Sequence, residues 1–124
     1  MIVAGIGCRR HTSSDAIAAL VREAGMQMGG TATLLAAPWF KADEPGLAGA
    51  ATLLGLPLVL IDAAALARAQ ADCPTPSAAA YAATGFASVA EACALAAAGP
   101  GGRLVLPRIA TPFATCALAE SSTP

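Results

Sequence analysis

The stretch IVAGIGCRRHTSSDAIAALV, residues 2–21, decides the fold of this chain. It begins with a short apolar run, IVAGIG, that ends in glycine, which is typical of a strand buried in a sheet. Thr12 and Asp15 are three residues apart, the spacing of a capping box, and predict that a helix begins there. One face of this helix is apolar, and Gly25 predicts its end. The apolar face consists of Ile17, Leu20, Val21 and Ala24.

The alternation of apolar strands and capped helices continues along the chain. It predicts an α/β fold, a three-layer sandwich with a mostly parallel (mixed) five-stranded sheet. We expect the fifth strand to follow a turn at Thr111–Pro112 and to run antiparallel to the fourth. The strands are predicted near residues 2–7, 31–37, 57–61, 103–107 and 113–118. Later helices are predicted to begin at Asp43, Asp62, Ser77 and a second capping box of Ser88 and Glu91, with ends at Gly55, Gly85 and Gly99.

Length and composition narrow the class of protein. The chain has 124 residues, for which we expect a single domain over 1–120 and a frayed tail over 121–124. Charged residues make up only 12% and the net charge is −1, so the clustered basic face of a nucleic-acid-binding protein is not expected. No apolar run reaches the roughly 18 residues of a membrane span, and the first residues lack the charged leader of a signal peptide. We therefore expect a cytoplasmic protein that binds neither nucleic acid nor a membrane.

The four cysteines show no metal-site or disulfide pattern. They lie at positions 8, 73, 93 and 116, without a CxxC pair and with only one histidine in the chain. A structural zinc site needs four such ligands at short spacings. We predict no metal site and four reduced thiols, as is usual inside cells.

Cations gather where three predicted strands end. Ligands of open α/β sheets bind beyond the carboxyl ends of the strands. Residues 8–12, 37–44 and 107–111 follow the first, second and fourth strands, so Arg9, Arg10, His11, Lys41 and Arg108 can share one edge of the sheet. We predict an anion-binding crevice there, because guanidinium groups match carboxylates or phosphates. Its predicted residues are Arg9, Arg10 and Lys41, with Cys8, Thr12 and Glu44 at its edge. The alternative is that the cations only pair with acids at the surface.

Other features of this edge allow two readings each. Gly5 and Gly7 resemble a dinucleotide fingerprint, but Arg10 stands at its third glycine position, and we expect no cofactor. His11 is either an acid–base group or a solvated side chain, and Cys8 is either a thiolate or a packed thiol. Trp39 and Phe40 are either core residues or an apolar wall for a ring-shaped ligand. The segment CPTPS, residues 73–77, is either a gate or a plain connector.

Several motifs together resemble one family. They are GIGCRRHTSSD (5–15), KADEPGL (41–47), PTPSAAAY (74–81), GFASVAEACAL (85–95) and RLVLP…TCALA (103–107 and 115–119). In this order they are similar to the CobE family, which is equivalent to the C-terminal domain of CbiG in cobalamin biosynthesis. The resemblance covers Ile2 to about Ala119. The chain departs from it at His11, where the family shows glycine.

The resemblance implies a part in building the corrin ring. It implies a precorrin or corrinoid intermediate as ligand, and other enzymes of the pathway as partners. Such intermediates are flat apolar macrocycles fringed with acetates and propionates, which suits arginine and lysine beside apolar surface. Two hypotheses remain: a carrier or accessory protein that binds the intermediate, or a hydrolase that opens a precorrin lactone, as the whole CbiG protein does with release of acetaldehyde. No catalytic residue can be assigned from the sequence.

Overall fold

The computed structural model describes residues 1–122, which form a five-stranded sheet with helices on both faces. The strands are β1 (Ile2–Cys8), β2 (Leu34–Pro38), β3 (Leu58–Ile61), β4 (Arg103–Ala110) and β5 (Ala114–Glu120). The helices are α1 (Ser14–Met28), α2 (Pro45–Leu54), α3 (Ala63–Ala69), α4 (Ala78–Thr84) and α5 (Ala90–Ala98). Short 3₁₀ turns occupy Trp39–Lys41 and Gln70–Asp72. Residues 123 and 124 of the predicted frayed tail lie outside the described residues.

The sheet has the strand order β3-β2-β1-β5-β4. β1 pairs in parallel with β2, and β2 with β3, whereas β5 runs antiparallel to both β1 and β4. Four strands therefore point in one direction, and the predicted α/β class with a mostly parallel, mixed sheet is confirmed. The carboxyl ends of β1, β2 and β4 meet at one edge of the sheet, as the predicted crevice requires.

Alternation along the strands divides the core into two layers. Ile6, Leu35 and Leu118 face α1 and α2, whereas Val3 and Ala119 face α3 and α5. Side chains at successive strand positions point to opposite faces, which explains why one apolar run serves both layers. The predicted apolar face of α1 is buried as expected. In contrast, α4 contributes no buried residue to either layer.

Both predicted capping boxes are wrong. The N-cap of α1 is Ser13, whose Oγ accepts from the Ala16 N–H, because the hydroxyl of Thr12 is used in tertiary hydrogen bonds. The N-cap of α5 is Val89, which makes no side-chain capping bond. Ser88 and Glu91, which were predicted to form the capping box of α5, make hydrogen bonds to Thr75 instead.

Two other helix boundaries also differ from the prediction. Helix α1 continues past Gly25 and ends at Gly29, whose φ of 79° is the left-handed conformation that glycine adopts without strain. Helix α2 begins after Glu44 rather than Asp43, since Pro45 takes the first helical position. The predicted cap residues Asp62 and Ser77 are confirmed, as are the ends at Gly55, Gly85 and Gly99.

All five predicted strands are present, with shifted ends. β2 begins at Leu34 rather than Thr31, because pairing with β1 starts at Leu34, whose partner is Val3. β4 extends to Ala110, past Pro107, because β5 continues to pair with it through an irregular register. Residues 107–110 therefore belong to the strand and do not follow it. β5 ends at Glu120, and β3 begins at Leu58.

The two glycines of the opening stretch leave room for different neighbours, and Gly5 allows α5 to lie close to β1. A Cβ atom at Gly5 would meet the backbone oxygen of Ala90 and the backbone nitrogen of Ala94. A Cβ at Gly7 would lie 2.7 Å from the Thr115 hydroxyl. Gly5 is thus explained by helix–sheet packing, whereas Gly7 leaves room for the Thr115 side chain on the neighbouring strand β5. No helix within residues 1–122 is both long enough and apolar enough to cross a membrane.

Candidate functional site

A crevice of about 450 Å³ lies at the edge of the sheet where β1, β2 and β4 end. Its walls come from the ends of β1 and β2, from α4, from β4 and from the turn between β4 and β5. This volume lies within the range of small-molecule sites. The lining residues are Gly7, Cys8, Arg9, Pro38, Phe40, Lys41, Ser77, Ala79, Ala80, Ala83, Thr84, Val89, Arg108, Thr111, Pro112, Phe113, Ala114 and Thr115.

Three cations line the crevice, one from each of the three strand ends. They are Arg9 after β1, Lys41 after β2 and Arg108 within β4. Within residues 1–122 the ion pair that the structure contains is Arg103–Glu120, at 4.0 Å and far along β4 from this edge. The crevice cations therefore have no described carboxylate within ion-pair distance. Their charges are available to an anionic ligand.

The other predicted site residues lie outside the crevice lining. Arg10 and His11 are exposed, and the His11 N–H donates to Oε2 of Glu44 at 3.2 Å. Thr12 is buried, and its hydroxyl donates to the carbonyl oxygens of Arg9 at 2.7 Å and Phe113 at 3.2 Å. Thr12 and Glu44 thus hold the Arg9–His11 loop in place. Cys8, Arg9 and Lys41 of the predicted set are brought together in the crevice, and Arg10, Thr12 and Glu44 are not.

Cys8 lines the crevice as a protonated thiol. Burial raises the pKa of this thiol, Lys41 opposes the rise through its positive charge, and Glu44 adds to it. Because the thiolate is the nucleophilic form of cysteine, the raised pKa favours the packed-thiol reading. Within residues 1–122 there is no group of three His, Cys, Asp or Glu side chains that could hold a metal ion.

Aromatic side chains form an exposed apolar wall beside the cations. Trp39 and Phe40 are 41% and 38% exposed, so the core reading of this pair is wrong. Phe40 lines the crevice and packs edge-to-face on Trp39 with ring centroids 4.9 Å apart. Trp39 in turn packs on Phe86 at 6.0 Å. Phe113, from the turn between β4 and β5, also lines the crevice and is 58% exposed.

The sequence profile of the family described as "Cobalamin synthesis G C-terminus" matches residues 2–119 of this chain. The chain belongs to this family. Protein CobE of Sinorhizobium sp is 34% identical to it over 125 residues, which cover 98% of this chain and 81% of that protein. The resemblance found in the motifs is confirmed, and the chain is a protein of the cobalamin biosynthesis pathway.

Solved structures agree with this membership. The crystal structure of CobE, a protein from the cobalamin biosynthetic pathway, is 38% identical, with a TM-score of 0.89 over 96% of this chain and 89% of that one. The cobalamin biosynthesis protein chiG from Agrobacterium tumefaciens is 44% identical, with a TM-score of 0.81 over 98% and 99%. A cobalamin biosynthesis protein G homolog from Sulfolobus solfataricus is 21% identical and shares the fold, with a TM-score of 0.73 over 95% of this chain. This chain covers 36% of its length.

This member of the cobalamin synthesis G C-terminus family also has crevice residues to which the sequence analysis assigned no role. The main ones are Phe113 just before β5, Thr115 within β5, and Val89 before α5. Arg108 was expected at this edge from its place after a predicted strand, although it lies within β4. The turn signal at Thr111–Pro112 marked the segment, but only the pairing of β5 with β1 and β4 brings Phe113 opposite Arg9.

Proposed function

We propose that this protein binds a carboxylate-fringed precorrin or corrinoid intermediate in the crevice and acts as a carrier or accessory protein for the enzymes of the pathway. Membership in a cobalamin biosynthesis family supplies the ligand class. We place this role in the cytoplasm, a reducing compartment that suits four free cysteines.

One observation carries the proposal: Arg9, Lys41 and Arg108 converge on an apolar crevice without a described carboxylate partner. Guanidinium and ammonium groups in such a place favour carboxylates, and Arg9 can bind one in a bidentate manner. Phe40 and Phe113 offer apolar surface to the ring. Side-chain carboxylates of the macrocycle can therefore contact the cations while the ring contacts the aromatic walls.

The size of the crevice supports binding of one edge of the macrocycle. A space of about 450 Å³ is too small to enclose a whole corrin ring with its side chains. The remaining part of the ring would stay exposed, where a second protein could contact it. This is what a carrier that passes an intermediate to an enzyme requires.

The hydrolase alternative needs a group that removes a proton from water or attacks the lactone carbonyl. The titratable groups of the crevice lining are Cys8, whose pKa is raised by burial, and the cations Arg9, Lys41 and Arg108. A protonated thiol and three cations suit binding of an anion better than activation of water. This comparison favours the carrier role.

The test is a spectral titration with cobyrinic acid, a corrin whose side chains end in free carboxylates. Its methyl ester serves as the matched control, because esterification removes the charges and keeps the ring. We expect tight binding of the acid, weaker binding of the ester and loss of affinity with added salt. Equal affinity for acid and ester would contradict the binding of ligand carboxylates by the crevice cations. Release of acetaldehyde from a lactone-bearing precorrin would replace the carrier role with the hydrolase.

A further inference from the structure

Glu91 is a buried carboxylate at the start of α5, with 1% of its surface exposed. Its Oε1 accepts a hydrogen bond from the Thr75 N–H at 3.0 Å, and its Oε2 accepts one from the Arg108 N–H at 3.0 Å. A buried charge is tolerated only when its hydrogen bonds are satisfied. Among the described residues no cation lies within ion-pair distance of Glu91, so backbone donors bind its carboxylate oxygens.

The two donors belong to different segments of the chain, β4 and the segment that precedes α4. Arg108 is itself a lining residue on β4. Thr75 lies two residues before Ser77, which lines the crevice and caps α4 by accepting from the Ala80 N–H. One side chain therefore connects the β4 wall to the segment that leads into the α4 wall.

The α4 wall depends on such anchors because it has no buried residue of its own. The Ser77 N–H donates to the Ala87 carbonyl oxygen at 2.8 Å, and the Ser88 hydroxyl donates to the Thr75 carbonyl oxygen at 3.2 Å. The Gln70 side chain holds Ser88 in turn. Its Oε1 accepts from the Ser88 N–H at 3.0 Å, and its Nε2 donates to the Ser88 carbonyl oxygen at 2.7 Å. The contacts of Glu91 and Ser88 take the place of apolar packing.

We infer that Glu91 is a positioning residue for ligand binding: it sets the backbone of Arg108 and the place of α4, and thereby the width of the crevice. This inference rests on the proposed function, since it assigns Glu91 a role in binding the carboxylate-fringed ligand. Glu91 acts through Arg108 and Ser77 and does not line the crevice itself.

The test compares Glu91→Gln with the parent protein in cobyrinic acid titrations. Glutamine keeps the size of the side chain, but its amide nitrogen faces one of the two N–H donors, so one hydrogen bond is lost. We expect about tenfold weaker binding, the equivalent of one hydrogen bond to a charged group. In an Arg108→Ala background the same substitution should cost less than threefold, because the cation that Glu91 places is already absent. Equal losses in both backgrounds overturn the inference, because a general structural role would be additive.

Amide hydrogen exchange gives a second readout that needs no ligand. One of the Thr75 and Arg108 amides, the one that faces the glutamine amide nitrogen, should exchange at least tenfold faster in Glu91→Gln than in the parent, while the Cys116 amide in central β5 should not change. If the parent does not bind cobyrinic acid, the proposed function fails, and exchange alone decides whether Glu91 holds both segments. If the parent binds and neither readout changes in Glu91→Gln, only the inference fails.

Ser88→Ala keeps the inference testable if Glu91→Gln does not fold. It removes the bond to the Thr75 carbonyl oxygen and leaves the carboxylate intact. We expect binding of cobyrinic acid to weaken about threefold. Unchanged affinity in Ser88→Ala shows that the 73–77 segment does not set the crevice, and overturns the inference.

Discussion

The hydroxyl of Thr12 donates to the carbonyl oxygen of Phe113, 101 residues away along the chain, at a distance of 3.2 Å. The Arg9 N–H donates to the same oxygen at 2.9 Å. These two bonds join the loop after β1 to the turn between β4 and β5. Because Arg9 and Phe113 both line the crevice, Thr12 fixes a cation relative to an apolar side chain of the lining.

Replacement of Thr12 by valine should lower the free energy of unfolding by about 1–2 kcal/mol. Valine keeps the shape of the side chain but removes the donor to the Arg9 and Phe113 carbonyl oxygens. Urea unfolding gives the measurement, with Thr31→Val at an exposed position as the control. Equal stabilities of the two variants would show that the Thr12 hydroxyl is not needed.

Arg9 and Arg10 should differ in their effect on ligand binding, although they are neighbours. Arg9 lines the crevice and Arg10 does not. Arg9→Ala should weaken binding of cobyrinic acid about tenfold to a hundredfold, the range for hydrogen bonds to a charged group, and Arg10→Ala should change it less than about threefold. Thermal unfolding should be nearly unchanged in both, because exposed charges contribute little to folding. A larger loss of affinity with Arg10→Ala than with Arg9→Ala would show that the anion binds outside the crevice.

Glycine at position 11 should stabilise the protein by about 0.5–1 kcal/mol. His11 has a φ of 62°, a left-handed conformation that costs an L-residue about 1–2 kcal/mol, whereas glycine adopts it freely but loses more entropy on folding. The N–H donor to Glu44 is kept in His11→Gly. Chemical unfolding measures the effect, and His11→Ala, which keeps the strained φ, is the control. A gain in stability with alanine as large as that with glycine would mean that the imidazole, not the backbone, is unfavourable.

A side chain at position 5 should be costly because α5 approaches β1 there. Gly5→Ala places a methyl group against the backbone of Ala90 and Ala94, and overpacking of this kind costs about 1–3 kcal/mol or more. Gly55→Ala is the control: nothing lies within 4 Å of the added atom, and only the φ of 68° opposes it, at about 1 kcal/mol. Denaturant midpoints compare the two. A smaller loss at position 5 than at position 55 contradicts the close approach.

The cysteines should react slowly with alkylating reagents in the folded protein near pH 8. Burial raises the pKa of the Cys8 thiol above its ordinary 9.0, and burial followed by the charge of Glu91 raises the pKa of Cys73 to about 11. A raised pKa lowers the thiolate fraction at pH 8, and the thiolate is the reacting form. The rate for Cys8 should rise about tenfold per pH unit from pH 7 and should not level off below pH 9. Mass spectrometry at a series of pH values measures this, and rapid alkylation of Cys8 at pH 7 would contradict it.

Thiol counting provides the control for that experiment. Cys93 and Cys116 are buried, and burial raises the pKa of Cys116 to about 12. Both should stay unmodified until the protein unfolds. In urea without reductant all four cysteines should react, because all four are free. A count of only two reactive thiols would show that the other two cysteines form a disulfide.

The order of strands and helices could be predicted from the sequence because local patterns encode it. The apolar run before Gly7, the apolar face from Ile17 to Ala24 and the stop at Gly55 depend on near neighbours only. The position of Arg9 and Lys41 at the same edge of the sheet could be predicted from strand direction alone. The motifs also identified the family, since they extend over almost the whole chain.

Tertiary structure decided which of these residues face the crevice. Thr12 and Glu91 each have the spacing of a capping box, but their side chains make other hydrogen bonds. Thr12 binds Phe113, and Glu91 binds Thr75 and Arg108. Segments distant in sequence make these bonds, and no local pattern reports them. For the same reason Arg10, adjacent to Arg9, lies outside the crevice, while Phe113 near the other end of the chain completes it. A side chain's hydrogen bonds depend on all the donors and acceptors that folding brings near it, so the site follows from strand pairing and not from spacing along the chain.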